Sequence, residues 1–365
     1  MDDKKMEFLN KALNSPEESE RLYAVQDIVD LQEESDAYAK ILARHLAVEK
    51  SQVVRDSIIY ALKPMRGSST TTIFPLLFEL FQNPDAYLRN AAVTVFGTKG
   101  NSAVAFLTSQ LDHSDREVRK LLMDALFQIG STEAVLAIRA GLKDSSINVR
   151  ITALEYLGQL NDLDSITDVL EMLQDETDPM LITSALETVL QIGDDASIHK
   201  TIKFLNHHGD ILKVHPVFLP ELIKLVSRCG TVENLLEIIA FLNGRQTYAK
   251  DIVQAIGDAL KHNLEIISIP EVLNRLVRVV KDSDENEGVR YSAAELLLSE
   301  ESFSDSSLLY ELGEYLIKDH SMVHAGIRFL SKSGTKDSQE LIKSVLATTK
   351  DHDIREQCEE LIYTK

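Results

Sequence analysis

Three carboxylates, Asp124, Glu155 and Glu187, recur 31 and 32 residues apart in this chain. Four candidate ligands, His207, His208, Asp210 and His215, crowd one short stretch further on. The first set suits electrostatic capture of a cation or a basic side chain, because carboxylates repeated along one face add their fields. The second set has the composition of a zinc or nickel site. No HxxxH or HExxH spacing brings its imidazoles to one helical face, so the stretch reads as a solvated loop and no metal is assigned to it. Cys229 and Cys358 lie far apart without a CxxC spacing, which argues against a disulfide framework or a structural zinc. There is no glycine-rich phosphate loop, no GxSxG elbow and no nucleophile beside a base. The chain offers charge and apolar surface, with no catalytic or cofactor-binding residue to assign.

The elements that position those carboxylates emerge from an internal period. Val-Arg pairs followed by apolar residues at helical spacing recur, and the arginine slot holds Arg21, Arg55, Arg89, Arg119, Arg150, Ile182, Leu219, Lys250, Arg290, His324 and Arg355. The intervals are 34, 34, 30, 31, 32, 37, 31, 40, 34 and 31 residues. Eleven positions after the slot stands a breaker, Gly100, Gly130, Asn161, Gly193 or Gly230, as expected for a left-handed cap on a helix end. Three positions after it stands a small residue, Ala24, Ala92, Ala153, Ala185, Ala293 or Cys358, which lets neighbouring helices approach closely. Ser15–Glu18 and Ser114–Glu117 read as capping boxes, and Asn83-Pro84 and Asp178-Pro179 as helix starts. Asp85 and Asp115 sit four residues before Arg89 and Arg119, so each pair is expected to share a helix face. Sparse glycine (15) and proline (8) and absent tryptophan fit a helix-rich chain.

The DxxVR pattern, its following alanine and its Gly or Asn stop resemble the HEAT-repeat family, especially the short bacterial repeats of the phycobilisome-lyase type. The resemblance spans the chain and is strongest from Asn83 to Gly193. It implies an all-α, right-handed α-solenoid of about eleven two-helix repeats, running as a single array over residues 1–365. Irregular insertions are expected at 206–216 and 281–289, where the intervals stretch. The resemblance does not extend to the enzymes built on similar repeats. Deoxyhypusine hydroxylase needs His-Glu pairs, and none of the ten histidines here is followed by glutamate. Alkylpurine DNA glycosylases need a basic surface, and the middle of this chain is acidic. A phycobilin-lyase-like enzyme or chaperone acting on a chromophore-bearing protein is retained as an alternative, as is a regulatory module of a bacterial signalling pathway.

Solenoids of this kind bind on a concave side lined by their second helices. With the small residue facing inward, slots +1, +5 and +8 from the arginine are expected to face outward. Slot +5 then carries the ladder Asp124, Glu155 and Glu187, with Tyr60 two repeats earlier, and slot +8 carries Phe127, Gly158 and Leu190 as an apolar strip. The formal charge is −20, and residues 101–200 hold −10 of it. Such a surface repels a phosphate backbone and anionic membranes and attracts basic proteins. The expected function is a non-catalytic scaffold or adaptor that grips a protein partner, with Asp124, Glu155 and Glu187 for capture, Phe127 and Leu190 as anchors and Tyr60 toward the rim. No segment has the length or apolarity of a membrane span. The start of the chain lacks the apolar core of a signal peptide, which points to a soluble protein of a reducing cytoplasm.

Overall fold

The computed structural model describes residues 3–31, 36–65, 69–174, 176–207, 217, 219–229, 232–241, 248–261, 264–299 and 304–363. The chain divides into two compact units, Met1–Gly193 and Asp194–Lys365. Among the described residues there are 22 α-helices and no strand, which makes eleven pairs. Both units are built as α-solenoid stacks. The first holds α1 (Asp3–Leu13), α2 (Glu18–Asp30), α3 (Asp36–Leu46), α4 (Gln52–Leu62), α5 (Ser69–Glu79) and α6 (Ala86–Lys99). It continues with α7 (Asn101–Thr108), α8 (Arg116–Ile129), α9 (Thr132–Ala140), α10 (Ile147–Gln159), α11 (Ile166–Leu173) and α12 (Pro179–Ile192). The second holds α13 (Asp195–His207), α14 (Leu219–Cys229), α15 (Val232–Phe241), α16 (Ala249–Leu260) and α17 (Pro270–Lys281). It ends with α18 (Glu287–Ser299), α19 (Ser306–Leu316), α20 (Val323–Ser333), α21 (Lys336–Thr348) and α22 (His352–Tyr363).

Every arginine-slot residue falls on a second helix of a pair. In the first unit α2, α4, α6, α8, α10 and α12 pack one on the next, while α1, α3, α5, α7 and α9 form the other layer. Between the layers lies an apolar seam that contains Ala24, Ala92, Ala153 and Ala185, all buried. Phe74, Phe96 and Phe106 cluster with ring centroids 5.4–6.1 Å apart and tie α5, α6 and α7 together. Burying such rings contributes to stability, because a fully buried aromatic side chain removes about 150–250 Å² from water.

The slot arginines join successive pairs. Arg119 makes a bidentate pair with Asp144 at 2.7 Å and also donates to the carbonyls of His113 and Ser114. Arg21 holds Glu49 the same way at 2.9 and 3.1 Å, and Arg150 reaches Glu176 at 3.2 Å. In the second unit Arg290 reaches Asp319 at 2.7 Å. Each arginine thus spans from its own helix to the loop of the following pair. Asp85, expected to pair with Arg89 on its own helix, instead accepts from Arg55 of the preceding pair at 2.8 Å. Lys99 adds a second joint, its buried Nζ donating to the carbonyls of Leu62, the last residue of α4, and of Met65 just beyond it, both at 2.5 Å.

Helix ends follow the expected chemistry with local shifts. Gly130 (φ +62°), Asn161 (φ +54°) and Gly100 (φ +59°) have positive φ, but Gly193 ends α12 in an extended conformation at φ −73°. The cap of α8 is Asp115 rather than Ser114, and that of α6 is Asp85 rather than Asn83, whose side chain accepts from the Asp85 amide in a turn. α2 begins at Glu18 without a side-chain cap. Residues 282–286 form the turn between α17 and α18, within the stretch read as an insertion. Most of the other expected insertion, 208–216, lies outside the described residues, as do His208, Asp210, His215 and the side chain of His207.

Candidate protein-binding face

The outward side of α8, α10 and α12 carries the residues of interest. Helical spacing puts Lys120, Asp124 and Phe127 on one face of α8, since residues three and four apart are neighbours on a helix. On α10 the same face presents Glu155 and Tyr156, and on α12 it presents Glu187 and Leu190.

Packing of α8 against α10 then sets the chemistry. The rings of Phe127 and Tyr156 stack with centroids 4.2 Å apart and planes 14° from parallel. Tyr156 Oη donates to Asp124 Oδ1 at 2.5 Å. Stacking fixes the tyrosine ring and the ring fixes the carboxylate, so three side chains from two repeats act as one rigid patch. Phe127, Asp124 and Tyr156 are all half-buried. Burial raises the Asp124 carboxyl above the usual carboxylate range, against the opposing pull of the Tyr156 hydroxyl and the Lys120 ammonium. Burial also raises the Tyr156 phenol, reinforced by its hydrogen bond to Asp124. A carboxylate held this way, in a partly desolvated setting beside aromatic rings, gains more from an incoming cation than one free in water.

The remaining residues are distributed around this patch. Glu155 and Glu187 are exposed, Leu190 is half-buried, and Gly158 is buried, where a Cβ would meet Gln191 Oε1 at 2.5 Å. The apolar strip expected at slot +8 is therefore Phe127 and Leu190 with a covered glycine between them. Tyr60 stands 71% exposed on α4, with α6 between it and α8, so it is not part of the patch. Asp124 is half-buried instead of standing in an open ladder, because the Tyr156 ring of the next repeat lies against it. Slot +6 holds Ala61, Val95 and Ala125 in the three preceding repeats and Tyr156 here. A large side chain with a polar tip after three small apolar ones was the available signal.

Residues 104–190 match the family model for HEAT repeats. That segment contains α8–α11, all but the last two residues of α12, and the whole Asp124–Phe127–Tyr156 patch. No curated protein matches the chain. Among solved structures, Kap95p in a structure with RanGDP is similar over 97% of this chain and 56% of its own, at 12% identity and a TM-score of 0.53. Kap121p bound to RanGTP is similar over 99% of this chain and 48% of its own, at 12% identity and a TM-score of 0.52. These likenesses show the α-solenoid fold, and the chain spans about half the length of these two proteins. No described helix is long and apolar enough to cross a membrane.

Proposed function

We propose that this chain is a non-catalytic scaffold that binds a partner protein across the outward face of α8, α10 and α12. The observation that carries the reading is the fixed Phe127–Tyr156–Asp124 patch beside exposed Glu155. It pairs an apolar anchor surface with oriented negative charge, the combination that gives residence time and steering together. The matching partner element is a basic amphipathic segment that sets lysine or arginine against Asp124, Glu155 and Glu187 and an apolar side chain against Phe127 and Leu190. The net charge of −10 over residues 101–200 favours such a partner and opposes nucleic acid. Solenoids of this fold, Kap121p with RanGTP among them, hold proteins, which supports the general role.

The test is affinity purification from the native cell at low and moderate salt, using wild-type chain and a Glu155→Lys/Glu187→Lys variant as baits. Both substitutions fall on exposed side chains, so the fold is retained. A stoichiometric protein captured by wild type, weakened by salt and lost from the variant, supports the reading. Equal capture by both baits at both salts refutes the site.

A further inference from the structure

Between successive pairs this chain repeatedly takes carboxylates out of water, and it treats them alike. Glu49, Asp144 and Asp162 each lie in the two-pronged fork of an arginine, Arg21, Arg119 and Arg139, at 2.5–3.1 Å. Glu176 takes Arg150 on one oxygen and the Thr177 and Asp178 amides on the other. Asp319 takes Arg290 on one oxygen and Ser321 on the other. None of these five side chains is more than 26% exposed. In each, both oxygens have donors and a guanidinium balances the charge.

Asp124 departs from this pattern. It is half-buried against α10, yet no arginine of the chain reaches it. Among the described residues the Tyr156 hydroxyl, on Oδ1, is its one hydrogen-bond donor, which leaves Oδ2 open. Lys120, one turn earlier on α8, acts on it through space without forming an ion pair. Burial raises all these carboxyls, but at Glu49, Asp144 and Asp319 the arginine and its companion donors outweigh burial, whereas at Asp124 burial prevails. A carboxylate drawn from water without a paired cation is costly, so an incoming cation relieves more here than at an open surface.

The surroundings narrow which cation completes the site. The stacked Phe127 and Tyr156 rings put a flat apolar surface beside the carboxylate. A guanidinium is planar and weakly hydrated, and it can lie on an aromatic ring while its edge donates to a carboxylate. An ammonium is compact and strongly hydrated, so it gives up more water to enter a half-buried setting.

We infer that the partner protein supplies to Asp124 the arginine that this chain supplies to its other desolvated carboxylates, so that the site takes arginine and discriminates against lysine. The inference rests on the protein-binding face proposed above and names the residue type that this face reads. In the complex the guanidinium donates to Asp124 Oδ2 and lies against the Phe127–Tyr156 pair. Glu155 and Glu187, both exposed, attract either cation without preference.

The test uses a displayed library of random peptides with arginine and lysine equally encoded, selected in parallel on the full wild-type chain and on Asp124→Asn. That substitution keeps the shape of the side chain and an acceptor for the Tyr156 hydroxyl, and circular dichroism and thermal melts confirm folding. Peptides from the wild-type selection are expected to share one arginine. Lysine at that place should weaken binding about tenfold, the difference between a stacked, charge-assisted hydrogen bond and bare attraction. On Asp124→Asn the arginine and lysine peptides should bind alike. Phe127→Leu, which keeps an apolar side chain but removes the ring, should reduce the same preference, and it carries the test if Asp124→Asn misfolds. Lysine serving as well as arginine on the wild-type chain overturns the inference, as do identical peptides from the two selections. If those peptides are still lost on Glu155→Lys/Glu187→Lys, the binding face stands without its arginine preference. If they bind that variant unchanged, the face falls as well.

Discussion

Removing the Arg119 guanidinium tests whether the slot arginines hold the stack together. Arg119 and Asp144 are about nine-tenths buried at their side chains, and the pair is bidentate at 2.7 Å. Arg119→Met keeps the apolar stem but leaves Asp144 with the Ser146 amide, and it strips the His113 and Ser114 carbonyls of a donor. Breaking one side of a buried pair typically costs about 3–5 kcal/mol, because the surviving charge stays desolvated. The backbone amide that Asp144 retains places the expected loss at the lower end, about 3 kcal/mol. Asp144→Asn should cost a similar amount, and the double variant should fall short of the sum by about 2 kcal/mol. The assay is hydrogen exchange of the α8 and α10 amides by mass spectrometry, which reads local opening in a long array where global unfolding is not two-state. A loss below about 1 kcal/mol for Arg119→Met, or strict additivity in the cycle, would show that the arginines do not join the repeats.

Three further outcomes are expected. Burial pushes the Glu49 carboxyl up, but hydrogen bonds from Arg21, the Ser51 and Lys50 amides and His45 outweigh it and set it at about 2. That depressed value contributes about 3 kcal/mol, complete above pH about 4.5 and lost as pH falls toward 2. Exchange protection across α2 and α4 should therefore fade over that window, and Glu49→Gln should flatten the dependence. Gly130→Ala forces a side chain to φ +62° and should destabilise the α8–α9 junction by roughly 1 kcal/mol, read by the same exchange measurement. Tyr156→Phe removes the hydrogen bond that lowers the Asp124 carboxyl, so carboxyl carbon NMR should show Asp124 titrating higher still; a downward move would contradict the assigned geometry.

Much of the fold was legible because repeats restate their own rules. The arginine slot located all eleven second helices, and the following small residue marked the buried seam, since both reflect the same packing solved again and again. The partners of those arginines were less visible. Asp85 and Asp115 four residues upstream looked like same-helix pairs, but they cap their helices, and the ion pairs run forward into the next repeat. The signal was present: Glu49, Asp144 and Glu176 each stand six residues before the next slot. From there the side chain takes the preceding arginine, while the Glu49 and Asp144 carbonyls take the following one. The candidate site was legible only in part. Slot spacing gave exposed Glu155 and Glu187, but slot geometry cannot show one repeat's ring reaching over another's carboxylate. Tyr156 and the half-buried state of Asp124 came from contact between repeats, and Tyr60 proved too far along the stack to join them.

The central claim is that charge and apolar anchoring act together at the face of α8, α10 and α12, and equilibrium binding of the isolated partner against salt measures it most directly. Affinity of the wild-type chain should fall as salt rises, because exposed pairs are screened over about 8–10 Å at physiological ionic strength. Glu155→Lys/Glu187→Lys should abolish that slope, and Phe127→Ala should leave the slope intact while weakening binding by about 1–2 kcal/mol. A salt slope unchanged by the charge reversal, with full affinity retained by Phe127→Ala, would place the partner elsewhere on the molecule.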